Sequence, residues 1–270
     1  MRRGSEDALA RARDNWDAAL RQSPGGELDY ARELFALRDS LGLAPALSAA
    51  LEDHTREDAD RVDLARDVFS GKVSDLVVDL LSGLVRENWS EDGDLFDAIE
   101  SLAVESVLAG AQREGILATV EEELYMVRGM LSQQRELRLA LSDKYRTVAE
   151  RQQLGERVFH TLSGYTQQLL TRGIERTHVR PLNTSLSYYL AASEQRADHL
   201  IASVTAAVPF TREQEERLIA ILERKYDAKV KVHITLDPSI VGGARVHIGN
   251  DVIDGTLRGR ISAVKEAFTK

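Results

Sequence analysis

A chain of 270 residues with 43% hydrophobic content can fill one large core or two ordinary ones, and an aromatic share of only 6% favours helices packed through aliphatic side chains. Its formal net charge of −9 argues against a binder of phosphate backbones, which needs clustered Lys and Arg. The absence of cysteine excludes disulfides, thiolate metal sites and cysteine nucleophiles, and fits a reducing compartment.

From the N-terminus, Arg2 and Arg3 are followed at once by Glu6, Asp7 and Asp14, where a signal peptide needs an apolar run, so a cytoplasmic, unprocessed chain is expected. Turn formers cluster at Ser23-Pro24-Gly25-Gly26 and at Ser90-Glu91-Asp92-Gly93. Between these loops the apolar spacing is helical, with Leu34, Leu37 and Leu41 in one stripe. The apolar stretch Leu76 to Val85 is interrupted by Asp79 and is far shorter than the ~20 residues of a membrane span.

The chain then repeats itself. Glu33-Leu34 recurs as Glu123-Leu124, and the shift of 90 continues through Arg38 and Arg128, Leu51 and Leu141, Asp53 and Asp143, Val68-Phe69 and Val158-Phe159, and Leu80 and Leu170. Between 33 and 83 there are 16 identities in 51 positions, where roughly 4 are expected by chance. Asp7-Ala8-Leu9 matches Asp97-Ala98-Ile99, so the copies fall near 1–90 and 91–180. Two copies of such a long period point to a duplicated helical bundle and not to a solenoid. Arg180-Pro181-Leu182-Asn183 breaks the pattern, and a helix from about Leu186 to His199, capped by Thr184 or Ser185, is expected to complete the second bundle.

From Leu200 the texture changes. Ile201, Val204, Ala206 and Val208 form a β-favouring run that Pro209 ends, and Thr211 with Gln214 forms a capping box for a helix burying Leu218, Ile221 and Leu222. Val230, Val232, Ile234 and Leu236 alternate with polar residues, as do Ala244, Val246 and Ile248 after a Pro/Gly-rich turn, which reads as two strands meeting at that turn. Leu257, Ile261, Val264 and Phe268 imply a final helix, with Asp254-Gly255 as turn and cap. The fold class is therefore α+β overall and mostly α: tandem helical bundles over 1–90 and 91–200, then a small α+β domain over 201–270.

Sharper chemistry is weak throughout. Gly71-Lys72 is followed by Val73 without P-loop spacing, and Gly242-Gly243 lacks a dinucleotide fingerprint. His233 and His247 on neighbouring strands suggest a metal pair, but no carboxylate ligand is evident and Lys231 and Arg245 would repel a cation. Asp251 and Asp254 are better explained by turn and cap duties than as an acid/base pair, and Trp16 and Trp89 as packing residues. Arg258 and Arg260 suit either an internal salt bridge or an acidic partner. No catalytic residue, metal or cofactor is expected.

The last domain resembles the δ subunit family of F-type ATP synthases, called OSCP in mitochondria. The resemblance is carried by Val204-Thr205-Ala206-Ala207-Val208-Pro209-Phe210, by Lys229-Val230-Lys231-Val232, and by Asp237-Pro238-Ser239-Ile240-Val241-Gly242-Gly243. Its most specific part is Ile248-Gly249-Asn250-Asp251-Val252-Ile253-Asp254-Gly255-Thr256-Leu257-Arg258-Gly259-Arg260. The match is close from Leu200 onward and looser across 91–200, and the extra ~90 residues resemble the long actinobacterial form, fused in some relatives to a membrane-anchored b segment that is not seen here. The resemblance implies a noncatalytic stator subunit at the cytoplasmic face of a bacterial membrane. It would join a separate b subunit, gripped by the C-terminal domain, to the N-terminal helices of α subunits, held by the helical part, with no nucleic acid and no small-molecule substrate. The second copy, next to the C-terminal domain as in ordinary members, is expected to hold α. The competing reading is a helical adaptor or regulator unrelated to the synthase.

Overall fold

The computed structural model describes residues 2–197, 199–226, 229–237, 240, 243–248 and 251–254. The chain divides into two compact units, Met1–Leu190 and Ala191–Lys270.

The first unit is helical, and the repeat is written into its geometry. Helices α1 (Arg3–Gln22), α2 (Glu27–Gly42), α3 (Pro45–Glu52), α4 (Asp58–Phe69) and α5 (Asp75–Leu84) are followed, about 90 residues on, by α6 (Asp94–Arg113), α7 (Leu117–Gln133), α8 (Arg135–Leu141), α9 (Val148–Val158) and α10 (Gly164–Glu175). Equivalent residues do equivalent work. Leu34, Leu41 and Leu51 are buried, as are Leu124, Leu131 and Leu141. Asp53 accepts the backbone N–H of Thr55 at 2.9 Å and Asp143 that of Tyr145 at 2.9 Å.

The same joint survives where the residue has changed. Ser48 Oγ donates to the carbonyl of Leu41 at 2.8 Å, and Arg138 Nη1 donates to the carbonyl of Leu131 at 2.8 Å. Both bonds satisfy a carbonyl left over at the end of a helix, where the chain turns.

The gapless shift fails at one point. Glu33 accepts from the N–H and hydroxyl of Ser74 at 2.9 and 2.6 Å, ahead of α5, while Glu123 accepts from the N–H and hydroxyl of Ser163 ahead of α10. Ser74 and Ser163 are 89 apart, so the connection in the second copy is one residue shorter, and Leu80-Leu81 corresponds to Leu169-Leu170. A carboxylate facing a helix N-terminus meets unpaired N–H groups and the positive end of the dipole, so the joint itself fixes that register.

Helix α6 is the centre of the unit. Its residues Leu102, Ala103, Val104, Val107 and Leu108 are fully buried on all sides, as befits a helix that is apolar around most of its circumference. It packs against α1, α2, α7 and α10. The turns that frame α6 use glycine where a side chain is strained: Gly93 precedes it at φ 93° and Gly115 follows it at φ 73°. Helix α11 (Leu182–Ala197) begins in this unit, earlier than expected. Thr184 and Ser185 donate their backbone N–H groups to the carbonyl of Pro181 at 2.9 and 3.1 Å and are not caps, because proline already sets the first turn. Leu186, Tyr189 and Leu190 are buried on its inner face, as expected.

The second unit is a small mixed sheet with helix α12 (Arg212–Tyr226). The capping box forms: Thr211 N–H donates to Gln214 Oε1 at 2.9 Å and Gln214 N–H to Thr211 Oγ1 at 3.2 Å. Strands β1 (His199–Ala206), β2 (Lys229–Leu236), β3 (Ala244–Ile248) and β4 (Asp251–Asp254) lie in the order β2-β1-β3-β4.

The reading of two strands meeting at the Pro/Gly-rich turn is corrected here. β2 runs parallel to β1, with α12 as the crossover that a parallel pair requires, and β3 pairs antiparallel on the other edge of β1. The alternating pattern gives each strand its buried face but carries no information on which strand is its neighbour. The buried set is Ala202, Val204, Leu222, Val230, Val246 and Ile248, with Leu218, Val232, Ile234 and Ile253 packed at its edge. Ile221 and Leu236, expected inside, are each 50% exposed. Strand β4 ends at Asp254, and the expected final helix from Leu257 to Phe268 lies outside the described residues.

Candidate interaction surfaces

The two copies are joined by polar contacts set into an apolar interface. Trp16 Nε1 donates to Ser106 Oγ at 2.8 Å, Ser5 Oγ donates to Asp94 Oδ2 at 2.6 Å, and Arg13 reaches Ser101 Oγ at 2.8 Å. Arg113 pairs with Glu27 at 2.5 Å. These contacts give buried polar groups of one copy partners on the other, which replaces water lost on packing.

Arg172 is the hub of this interface. It is 1% exposed, yet its guanidinium binds Asp39 at 2.6 and 3.0 Å, Glu100 at 2.9 and 2.6 Å, and Glu175 at 2.8 Å. Its remaining face lies over the Phe35 ring, 4.6 Å from the centroid. Burial alone would favour the neutral form, but the bonds to Glu100, Asp39 and Glu175 outweigh it and push the Arg172 pKa up. Burial would likewise raise the Asp39 carboxyl, but its bonds to Arg172 and Arg38 hold it below the usual aspartate value. An arginine serves here because only its fork of donors engages two carboxylates bidentately while its flat face stacks.

Described residues of the helical unit line a groove and a wider cleft. A groove of about 260 Å³ runs between α1 and α5, lined chiefly by Ala12, Trp16, Ala19, Leu76, Leu80 and Leu84. A wider cleft of about 740 Å³ lies beside α3, between Leu41 and Phe96, and takes in Glu52, Asp53, Arg56 and Asp92. Burial, together with Asp92 and Asp94, raises the Glu52 carboxyl pKa. Neither depression gathers a nucleophile, a base and an orienting group. Among the described residues no group of three or more His, Asp or Glu is placed to hold a metal ion. No single described helix is long and apolar enough to cross a membrane.

The sequence-predicted motif residues distribute as follows. Ile248 is 2% exposed and Ile253 packs at the edge of the same core. Asp237 donates its backbone N–H to the carbonyl of Ala206 at 2.9 Å, tying the end of β2 to the end of β1. Gly243 has φ 78°, the left-handed region that favours glycine, at the entry to β3. Pro209 is exposed beyond the end of β1, and Asp254 ends β4 opposite Arg245. Pro238, Gly242, Gly249, Gly255, Arg258, Gly259 and Arg260 lie outside the described residues.

His233 and His247 are not on neighbouring strands: both are in register with Ser203 of β1, which separates them. Asp251 accepts from Tyr226 Oη at 2.8 Å, a bond from sheet edge to helix end. Trp16 and Trp89 are buried, and Trp89 Nε1 donates to the carbonyl of Leu84 at 2.9 Å. The sequence reading missed Arg172. Its one signal was an arginine on the apolar stripe of a helix, which resembles any surface arginine until Phe35 and Asp39 are brought against it.

The family model of the ATP synthase delta (OSCP) subunit matches residues 104–268. The ATP synthase subunit delta of Beutenbergia cavernae is 35% identical over 258 residues, covering 95% of this chain and 95% of that protein. The ATP synthase subunit delta of Streptomyces coelicolor is 34% identical, covering 97% of this chain and 96% of its own length. A chain from the cryo-EM structure of the Toxoplasma gondii mitochondrial ATP synthase hexamer shows a slight likeness, with TM-score 0.38 and 15% identity over 62% of this chain and 95% of that one. The family match begins within α6, whereas the bacterial relatives extend across the first copy as well.

Proposed function

This chain belongs to the ATP synthase delta (OSCP) subunit family, and from that premise we propose that it is a noncatalytic connector between the b stalk and the α subunits of the catalytic head. It is a peripheral-stalk subunit of the F-type ATP synthase, a peripheral component of a membrane-bound complex. The observation that carries the connector reading is the division into two compact units of different construction, one helical and grooved, one a small sheet with helix α12.

In this reading the helical unit, built of copies near 1–90 and 91–200, holds the N-terminal helices of α. Helix-in-groove binding suits it, because an amphipathic helix buries its apolar stripe between two others without any chemistry. The C-terminal unit, with Pro209, Asp237, Gly243, Ile248, Ile253 and Asp254 in its frame, grips the end of b. The assembly lies at the cytoplasmic face and resists the torque of rotation. The interlocked charges at Arg172 support this role, since they make the two copies one packed body that transmits load.

A tagged chain expressed in its own host tests the reading. It is expected to co-purify α and b from solubilised membranes, and the isolated chain is expected to hydrolyse no ATP. Recovery of the chain without either subunit would favour the adaptor reading.

A further inference from the structure

The cleft beside α3 opens where the first copy carries small residues and the second carries long ones. At the shift of 90, Pro45, Ala46, Ser48 and Ala49 of its wall correspond to Arg135, Glu136, Arg138 and Leu139 of α8. The register is fixed by the helix ends, since Ser48 and Arg138 each donate to the carbonyl that closes the preceding helix, Leu41 and Leu131. Arg138 reaches that carbonyl with a long side chain, and Ser48 does so with a short one that leaves the space beside it open.

The charges of the cleft are unbalanced. Its apolar surface comes chiefly from Leu41, Pro45, Ala46, Ala49 and Phe96, and its acids are Glu52, Asp53 and Asp92. Arg56, the base in the lining, lies 3.7 Å from Asp53, so Glu52 and Asp92 have no counter-charge within the lining. Glu52 accepts from the Gly93 N–H, but its Oε1 is buried without a hydrogen-bond partner. In the second copy Ser142 and Leu182 take the places of these two acids, so the charge, like the small wall, belongs to the first copy. A half-buried carboxylate with another acid beside it opposes folding of the free chain and gains most from an arriving cation.

The apolar surface also continues beyond the cleft. Leu43, between the lining residues Gly42 and Pro45, is 88% exposed. A polypeptide segment, which covers the mouth as well as the floor, fits this layout better than a small cation does.

We propose that the cleft beside α3 is a docking site for a short segment of another subunit of the synthase. That segment sets a lysine or arginine beside Glu52 and Asp92 and a neighbouring apolar side chain against Ala46, Ala49 and Phe96. The assignment goes beyond the connector reading and does not depend on which subunits that reading names. Apolar contact supplies affinity, and the uncompensated acids select a basic segment over an acidic one.

Benzoylphenylalanine incorporated in place of Leu43 puts a photocrosslinker at the mouth of the cleft without filling it. Irradiation of the intact synthase, followed by peptide mass spectrometry, should join this position to a segment of another subunit that contains a lysine or arginine. A synthetic peptide of that segment is then titrated calorimetrically into the full chain. Glu52→Gln keeps the shape and removes the charge, and it should weaken binding by at least ~10-fold while the melting temperature holds or rises. Ala49→Leu introduces the residue that the second copy carries at Leu139, and it should weaken binding with the melting temperature unchanged. Stability that rises as binding falls is a result that a merely structural Glu52 would not give. Crosslinks that stay within this chain, join two copies of it or land on a segment without a basic residue overturn the proposal, as does the absence of any crosslink. So does a peptide that fails to bind the parent, or that binds either variant as it binds the parent.

Discussion

Replacing Arg172 by methionine keeps the aliphatic stem against Phe35 and removes the guanidinium that Asp39, Glu100 and Glu175 share. Breaking one side of a buried ion pair costs about 3–5 kcal/mol, because the surviving charge is left without a partner. Two features draw the figure to the lower end. Arg38 stays 3.2 Å from Asp39, and Arg176 stays 3.7 Å from Asp39 and 3.8 Å from Glu100. Asp39 and Glu175 also keep partial access to water, while Glu100 is only 16% exposed.

A loss of about 3 kcal/mol is therefore expected, and at ~2–4 °C per kcal/mol for a unit of this size the melting temperature should fall by about 6–12 °C. Circular dichroism at the helical band reads this directly. Arg172→Lys keeps the charge but loses the two bidentate forks, and it should fall between. Adding Glu100→Gln to Arg172→Met should recover part of the loss, because it removes the most buried unpaired charge.

The pH dependence follows from Asp39. Its folded pKa is held below the unfolded value, so its pairing contributes stability above the unfolded pKa, ~3.9, and loses it as pH falls through the lower folded value. The gap between parent and Arg172→Met should therefore narrow below about pH 4. A melting-temperature change under ~2 °C at neutral pH would refute the hub as a determinant of stability.

Glu33→Ala and Glu123→Ala each remove the carboxylate that holds a helix N-terminus, so both should cost about 1–3 kcal/mol, and similar losses in denaturant melts would show the duplicated joints to be energetically equivalent. Glu52→Gln should stabilise the chain at neutral pH: the folded Glu52 pKa is raised, so the ionised form opposes folding above it. That advantage should vanish as pH falls below the unfolded glutamate pKa, which melts at pH 3 and pH 7 would reveal. Thr211→Ala removes one half of a capping box and should cost about 0.5–2 kcal/mol, seen as faster amide hydrogen exchange in α12 with α1 to α10 unchanged.

Much of the helical unit was legible because duplication doubles every signal. A lone Glu33 says little, but Glu33 and Glu123 ninety residues apart say that one side chain does one job twice. What escaped was anything set by three-dimensional neighbours. The single-residue shortening before α10 was hidden because Leu80 and Leu81 let either register score an identity. Arg172 was invisible because its partners come from residues 72 and 133 positions away. In the C-terminal unit the alternation of Val230 to Leu236 and of Ala244 to Ile248 placed both strands, and the capping box placed α12. The insertion of β1 between those strands is a matter of topology, which a period of two does not encode.

The central claim is that this chain couples the catalytic head to the membrane sector. Membranes depleted of the chain and then reconstituted with it test that claim, with ATP hydrolysis and ATP-driven proton uptake followed together. Depleted membranes should hydrolyse ATP without pumping, and added chain should restore pumping in proportion to the amount bound. Proton uptake that is undiminished without the chain, or that the chain fails to restore, would contradict it.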